Sequence, residues 1–188
     1  MAGGTEFSPG KFKELILYLA ERSSADVDPR MGGVKLNKLL YRADFEAFRL
    51  LGHSITGATY IKGEYGPMAK ELPEAEDELE RRGYLGWLRK LTGDFIRKVP
   101  IARERADTSQ FPPEEMDIIE KALKELVLHG GRSVSAWSHE QSSGWRSVGL
   151  GKEIPYASAF VSTEPLSDAQ MVRALERSDQ EGWASIKP

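Results

Sequence analysis

Residues 35–45 read KLNKLLYRADF, and this stretch is the most informative part of the chain. Its apolar residues recur at the spacing of one helix face, and they continue to Ala47: Leu36, Leu39, Leu40, Ala43 and Ala47. The charged residues fall largely off this stripe, so the pattern predicts an amphipathic helix over about 34–51 with a solvated charged side. Gly52 follows the last turn and supplies a helix stop.

Helical and strand patterns lie on both sides of this helix. The further predicted helices cover about 9–23, 72–83, 112–130, 132–140 and a last stretch that begins near Ser167. A short strand is predicted at 59–62 and ends at Gly66-Pro67, and alternation on both sides of Thr92-Gly93-Asp94 predicts a β-hairpin over 84–101. The predicted fold class is therefore mainly α (α+β), a compact bundle of five or six helices with a small antiparallel β-hairpin.

The composition excludes several classes of protein. The chain has 188 residues, a net charge of −3 and no cysteine, which excludes disulfides, Cys-ligated metals and a Cys nucleophile. No run approaches the roughly 18 apolar residues of a membrane span, and the N-terminus lacks the features of a secretion signal. We expect a cytoplasmic protein that does not bind membranes. We also expect one globular domain over residues 1–162 and a helical appendage over 163–188.

Three sequence blocks occur in order and at short spacing. They are KLNKLLYRAD at 35–44, ITGATY at 55–60 and YGP at 65–67. Together they resemble the Panacea domain, which occurs in the antitoxin half of many toxin–antitoxin pairs and in phage-associated proteins. Ser138-His139, Trp145 and the Ile-Pro-Tyr at 154–156 match a later feature of that family. The likeness covers about residues 10–160.

The resemblance implies an antitoxin that binds and neutralises a cognate protein toxin without enzymatic chemistry and without a cofactor. We expect the exposed part of the 34–51 helix and the hairpin tip to contact the toxin. The predicted partner-binding residues are Lys35, Lys38, Tyr41, Arg42, Asp44, Tyr60, Arg89, Lys90 and Arg97. Predicted structural positions are Tyr65, Gly66, Pro67, Trp137, His139 and Trp145. The sequence leaves open whether Tyr41 and Tyr60 anchor an interface or belong to the core.

The sequence motifs give little support to a catalytic or metal-binding site. His139 and Glu140 could form an acid/base pair or ligate a metal, but the chain has no H-E-x-x-H pattern. No serine lies in a G-x-S-x-G elbow. We therefore interpret His139 as a residue that orders an irregular segment, and we predict no catalytic residue and no metal site.

The hairpin supports an alternative function. A helix over about 72–82 followed by two strands resembles a winged helix, and basic residues cluster on the wing: Arg89, Lys90, Arg97, Lys98, Arg103 and Arg105. Such a patch could neutralise DNA phosphates, which makes a DNA-binding regulator the second hypothesis. The dense acidic residues at 71–80 would repel phosphate, so we favour a structural or toxin-facing hairpin. Promoter DNA and a second copy of the chain remain open as further partners.

Overall fold

The structure is a computed structural model that describes residues 6–22, 28, 31–92, 95–127, 142–161, 167, 169, 171–173 and 176–177. Most of its regular secondary structure is helical. Five α-helices lie entirely in these ranges: α1 (Pro9–Arg22), α2 (Gly33–Leu51), α3 (Leu72–Arg81), α4 (Pro113–Leu126) and α5 (Ser143–Ser147). Residues 169, 171–173 and 176–177, in the last predicted helix, are also helical. Four strands accompany them: β1 (Tyr60–Gly63), β2 (Gly66–Ala69), β3 (Leu85–Thr92) and β4 (Phe95–Ala102). Short 3₁₀ turns cover Thr108–Gln110 and Tyr156–Phe160. The predicted α+β class, mainly α, is confirmed.

Helix α2 is the centre of the core. All five residues of its apolar stripe are buried, and the helix contacts α1, α4, β2 and the turn at Tyr156–Phe160. Its last turn ends at Gly52, whose φ of 79° is a left-handed conformation that glycine adopts without strain. The observed bounds agree with the predicted helix within one residue.

Strands β1 and β2 form a small hairpin that the sequence pattern did not predict as a pair. Gly66-Pro67 was expected to end the strand, and this expectation is wrong, because β2 begins at Gly66. Lys70 N donates to Thr59 O, which fixes the alternation of the ladder and directs the backbone nitrogen of Pro67 away from β1. Proline is tolerated there because it removes no hydrogen bond of the ladder.

Strands β3 and β4 form the predicted hairpin as an eight-residue antiparallel ladder. Arg103 N donates to Tyr84 O, so by alternation Pro100 also occupies a position whose nitrogen faces away from the neighbouring strand. The half of the ladder nearer its base packs on the core, where Leu85 and Val99 are buried, and the tip of the hairpin projects into solvent.

Residues 151–154 close the free edge of β1. The backbone oxygen of Lys62 accepts from Gly151 N, and the backbone nitrogen of Lys62 donates to Lys152 O. Ile154 N donates to Tyr60 O at 2.7 Å. Trp145 then packs under Lys62, whose Nζ lies 4.3 Å from the ring centroid. The segment that was expected to be irregular therefore continues the β1–β2 sheet and carries the short helix α5.

Candidate functional site

Three of the charged residues of α2 that were predicted to bind a partner lie in the interior of the protein. Lys35 and Lys38 are 1% exposed and Asp44 is fully buried. The expectation that they belong to an exposed, solvated side of the helix is wrong. Lys35 precedes the stripe residue Leu39 by four positions and Asp44 follows Leu40 by four, which places both beside the apolar stripe. That spacing was the sequence signal for their burial.

Asp44 joins the first sequence block to the second. Its carboxylate accepts from the Thr56 backbone nitrogen at 2.7 Å, from Thr56 Oγ1 at 2.5 Å and from the Tyr60 hydroxyl at 2.8 Å. Burial raises the pKa of Asp44, and the hydrogen bonds from Thr56 and Tyr60 partly offset that rise. The carboxylate thus holds the 54–60 loop against α2.

Lys38 joins the first block to the third. Its Nζ donates to the carbonyl oxygen of Pro67 at 3.2 Å, and the neighbouring Asn37 accepts from the backbone nitrogen of Ala69 at 3.0 Å. By the ladder alternation, both groups lie on the side of β2 that faces away from β1. Desolvation lowers the pKa of Lys38 to about 8. The two side chains close the outer edge of β2.

Lys35 and Arg42 tie α2 to other parts of the chain. Lys35 Nζ lies 2.5 Å from the carboxylate of Asp28, also buried, and donates to the carbonyl oxygen of Val127. The half-buried Arg42 forms ion pairs with Glu125 on α4, at 3.0 Å, and with Glu46, at 3.4 Å. A hydrogen bond from Arg49 is the main cause that lowers the pKa of Glu46 to about 2.

Tyr41 and Tyr60 belong to the core, which answers the question that the sequence left open. Both are buried, and their rings pack edge to face with centroids 5.3 Å apart. The Tyr41 hydroxyl lies 2.6 Å from Ser142 Oγ, and Tyr156 contacts both Phe45 and Tyr60. The aromatic cluster therefore connects α2 to the segment at 142–160.

The three sequence blocks thus form one buried polar and aromatic unit, in the order and spacing that resemble the Panacea domain. A family model described as "Antitoxin SocA-like, Panacea domain" matches residues 36–146, more than half of the chain. The chain belongs to this family. No curated protein matches it. Membership of the family indicates a role of the antitoxin type.

The β3–β4 hairpin of this Panacea domain carries exposed apolar and basic side chains. Leu91 is 75% exposed and Ile96, directly opposite on β4, is 62% exposed. Arg89 and Lys90 are exposed beside them, while Arg97 is half-buried, with its side chain close to Gly32. Of the nine predicted partner-binding residues, the structure groups Arg89, Lys90 and Arg97 on this hairpin.

A groove of about 500 Å³ lies between β3 and α3. Acidic side chains of α3 form one wall: Glu76, Asp77 and Glu80. Basic side chains at the hairpin form the other: Arg89, Lys98 and Arg103. Burial is the main cause that raises the pKa of Glu76 to about 7, and Asp77 adds to the rise.

Some of the residues that were predicted to have structural roles lie in the described part of the chain. Trp145 donates through Nε1 to Gly63 O at 3.2 Å. Tyr65 and Gly66 lie at the β1–β2 turn, where Gly66 has a φ of 114° and Tyr65 is exposed. Trp137 and His139 lie outside the described residues, as does Glu140.

Within the described ranges, no group of three or more His, Cys, Asp or Glu side chains is arranged to hold a metal ion. In the same part of the chain, no helix has the length and apolar character that crossing a membrane requires.

Proposed function

We propose that this Panacea domain is an antitoxin that neutralises a cognate protein toxin by direct, non-enzymatic binding through the β3–β4 hairpin. The observation that carries the proposal is the pair Leu91 and Ile96, which lie side by side and largely exposed on a projecting ladder. Large exposed apolar side chains with a polar surround mark sites of protein association.

The residues around this pair indicate the chemistry of the partner. Residues 85–102 contain four basic side chains and one acidic side chain. Arg89, Lys90 and Lys98 are exposed on the ladder. A complementary surface would hold an apolar pocket with an acidic rim, and the charges would speed association more than they strengthen the complex.

Helix α2 is not part of the surface that we propose. Lys35, Lys38 and Asp44 have internal partners, and exposing them would break contacts that hold the fold together. Tyr41 and Tyr60 are equally enclosed. Of the nine partner-binding residues predicted from the sequence, we therefore keep Arg89, Lys90 and Arg97. We add Leu91 and Ile96.

We also propose that the folding unit ends near residue 162, as the sequence analysis expected, with residues 163–188 as an appendage. The contacts of the 142–160 segment support this boundary, since Phe160 packs on Phe48 with ring centroids 5.7 Å apart. Ser143 Oγ donates to Val161 O at the same end of the domain.

The test is co-expression with the product of the neighbouring gene, with growth and co-purification as readouts. We expect toxicity that the wild-type chain relieves. The double variant Leu91→Asp/Ile96→Asp should lose both rescue and co-purification, because it places two carboxylates in the proposed apolar contact. Leu150→Asp is the matched control, because Leu150 is 70% exposed on a turn outside the hairpin.

Full rescue by Leu91→Asp/Ile96→Asp would remove the hairpin from the interface. A wild-type chain that relieves no toxicity, but retards its own promoter DNA in a salt-sensitive way, would favour the DNA-binding regulator. The exposed carboxylates of Asp77 and Glu80, across the groove from the basic residues, argue against that outcome.

A further inference from the structure

Strand β3 presents unpaired backbone groups along its outer edge. The hydrogen bond from Arg103 N to Tyr84 O fixes the alternation of the ladder, so Trp87, Arg89 and Leu91 direct their N–H and C=O groups away from β4. In the ranges that the structure describes, no backbone hydrogen bond reaches these three residues. Such an edge is a template for another strand.

The other strand edges carry features that hinder strand addition. Asn37 and Lys38 occupy the outer edge of β2, and residues 151–154 cover β1. On β4, an outward-facing position is Pro100, which has no N–H to offer. The open edge of β3 therefore stands apart from the three other edges.

The 500 Å³ groove lies between α3 and β3, the strand whose outer edge is open. Residues 85–87 and Arg89 of β3 line it, together with side chains of α3. A neighbouring strand would sit about 4.8 Å from β3, in the space between β3 and α3.

The two walls of the groove carry opposite charges that do not neutralise each other by contact. No ion pair within 4 Å joins the carboxylates of α3 to Arg89, Lys98 or Arg103 among the described residues. A bound segment with a basic side chain toward α3 and an acidic side chain toward the hairpin would satisfy both walls.

We infer that the toxin delivers an extended segment that pairs with the outer edge of β3 and fills the groove with side chains of both charges. The inference rests on the proposed function, and it names the binding mode: strand addition, in which backbone hydrogen bonds supply affinity and side-chain pockets supply specificity. The Leu91–Ile96 contact at the ladder tip continues the same surface.

A proline substitution can test the backbone contacts. Arg89→Pro removes an outward N–H and leaves the ladder to β4 intact, as Pro100 does naturally. Arg89→Ala controls for the loss of the side chain. We expect Arg89→Pro to bind the co-purified toxin about tenfold more weakly than Arg89→Ala, since one hydrogen bond is lost and its partner is left unpaired.

The matched control lies on the opposite edge of the same ladder. Lys98 pairs with Arg89, and its N–H also faces outward, on the side away from β3. Lys98→Pro and Lys98→Ala should therefore bind the toxin with the same affinity as each other, since both lack the Lys98 side chain and neither changes the outer edge of β3. Thermal unfolding of all four variants checks that the proline residues leave the fold intact. Equal binding by Arg89→Pro and Arg89→Ala would overturn the inference.

Amide hydrogen exchange of the unsubstituted chain gives a second readout that needs no variant. The N–H groups of Trp87, Arg89 and Leu91 should exchange rapidly in the free chain and become protected in the complex. Those of Leu88 and Lys90, which face β4, should be protected in both states.

The two hypotheses can fail separately. A wild-type chain that binds no toxin overturns the proposed function together with strand addition. A toxin that binds, and depends on Leu91 and Ile96, but leaves the exchange of Trp87, Arg89 and Leu91 unchanged overturns strand addition alone.

Discussion

Helix α2 and the β3–β4 hairpin both carry lysine and arginine, but the surroundings of these residues differ. On α2, Lys35 and Lys38 are buried, and each contacts a group from another part of the chain. On the hairpin, Arg89 and Lys98 are exposed beside large apolar side chains. Charged residues in a recognisable sequence block are therefore a poor guide to a binding surface unless their burial is known.

The same comparison separates what is shared by the family from what could select a partner. The three blocks are joined by Asp44 and Lys38, so these residues specify a fold. The hairpin packs on the core through the half of its ladder nearer the base, so substitutions near its tip can change the surface without changing the fold. We expect partner choice to reside there.

The largest expected effect tests whether Asp44 holds the blocks together. Asp44→Ala should lower the free energy of unfolding by about 4 kcal/mol, because the donors of Thr56 and Tyr60 are left buried without an acceptor. Chemical denaturation measures this loss, and the exposed Asp77→Ala should change stability by less than about 0.5 kcal/mol. A loss below about 1 kcal/mol for Asp44→Ala would contradict the structural role.

The ion pair between Lys35 and Asp28 should give the next largest effect. Lys35→Met leaves the buried Asp28 carboxylate without its countercharge and should cost about 3 kcal/mol of stability. Adding Asp28→Leu should restore part of that loss, since the remaining charge is then removed too. A double variant no more stable than Lys35→Met would show that the pair does not act as a unit.

Lys38 should make stability depend on pH in the alkaline range. Because its pKa falls from 10.5 in the unfolded chain to about 8 in the folded chain, the unfolded chain binds more protons between these values. Stability should therefore rise with pH there. Relative to Lys38→Met, the wild type should gain about 2 kcal/mol from pH 8 to pH 10, as measured by urea unfolding. If the stability of the wild type and of Lys38→Met changed equally with pH, the lowered pKa of Lys38 would be contradicted.

The smallest effect on stability is expected on the hairpin. Arg89→Glu should change the free energy of unfolding by less than about 0.5 kcal/mol, because the side chain is exposed on a projecting ladder. The same substitution should slow association with the toxin, as measured by surface plasmon resonance at low salt. A loss above about 2 kcal/mol would show that Arg89 of the hairpin contributes to stability as the buried charges of α2 do, and would contradict the comparison.

Much of the fold could be predicted from the sequence, because apolar periodicity and glycine stops are local signals. The bounds of α1 and α2 agree within one residue with the prediction, and the long hairpin is where alternation placed it. Strand β2 was missed because Pro67 is typical of a strand end, and only the pairing with β1 shows that its nitrogen faces outward.

The buried charges were harder to predict for a different reason. The groups that pair with Lys38 and Asp44 lie 29 and 12 residues away along the chain. A helical pattern shows which side chains share a face, but not what packs against that face. The exposed ladder tip, by contrast, follows from the hairpin itself, and so the predictions for Arg89 and Lys90 agree with their exposure in the structure.

The cover that residues 151–154 form over β1 determines where this protein can be shortened. The family match ends at residue 146, before the backbone groups that pair with Tyr60 and Lys62. A chain cut there would expose a sheet edge and the faces of Phe45 and Tyr60 that now lie against Tyr156. Such a fragment would be prone to aggregate, so expression should extend to about residue 162.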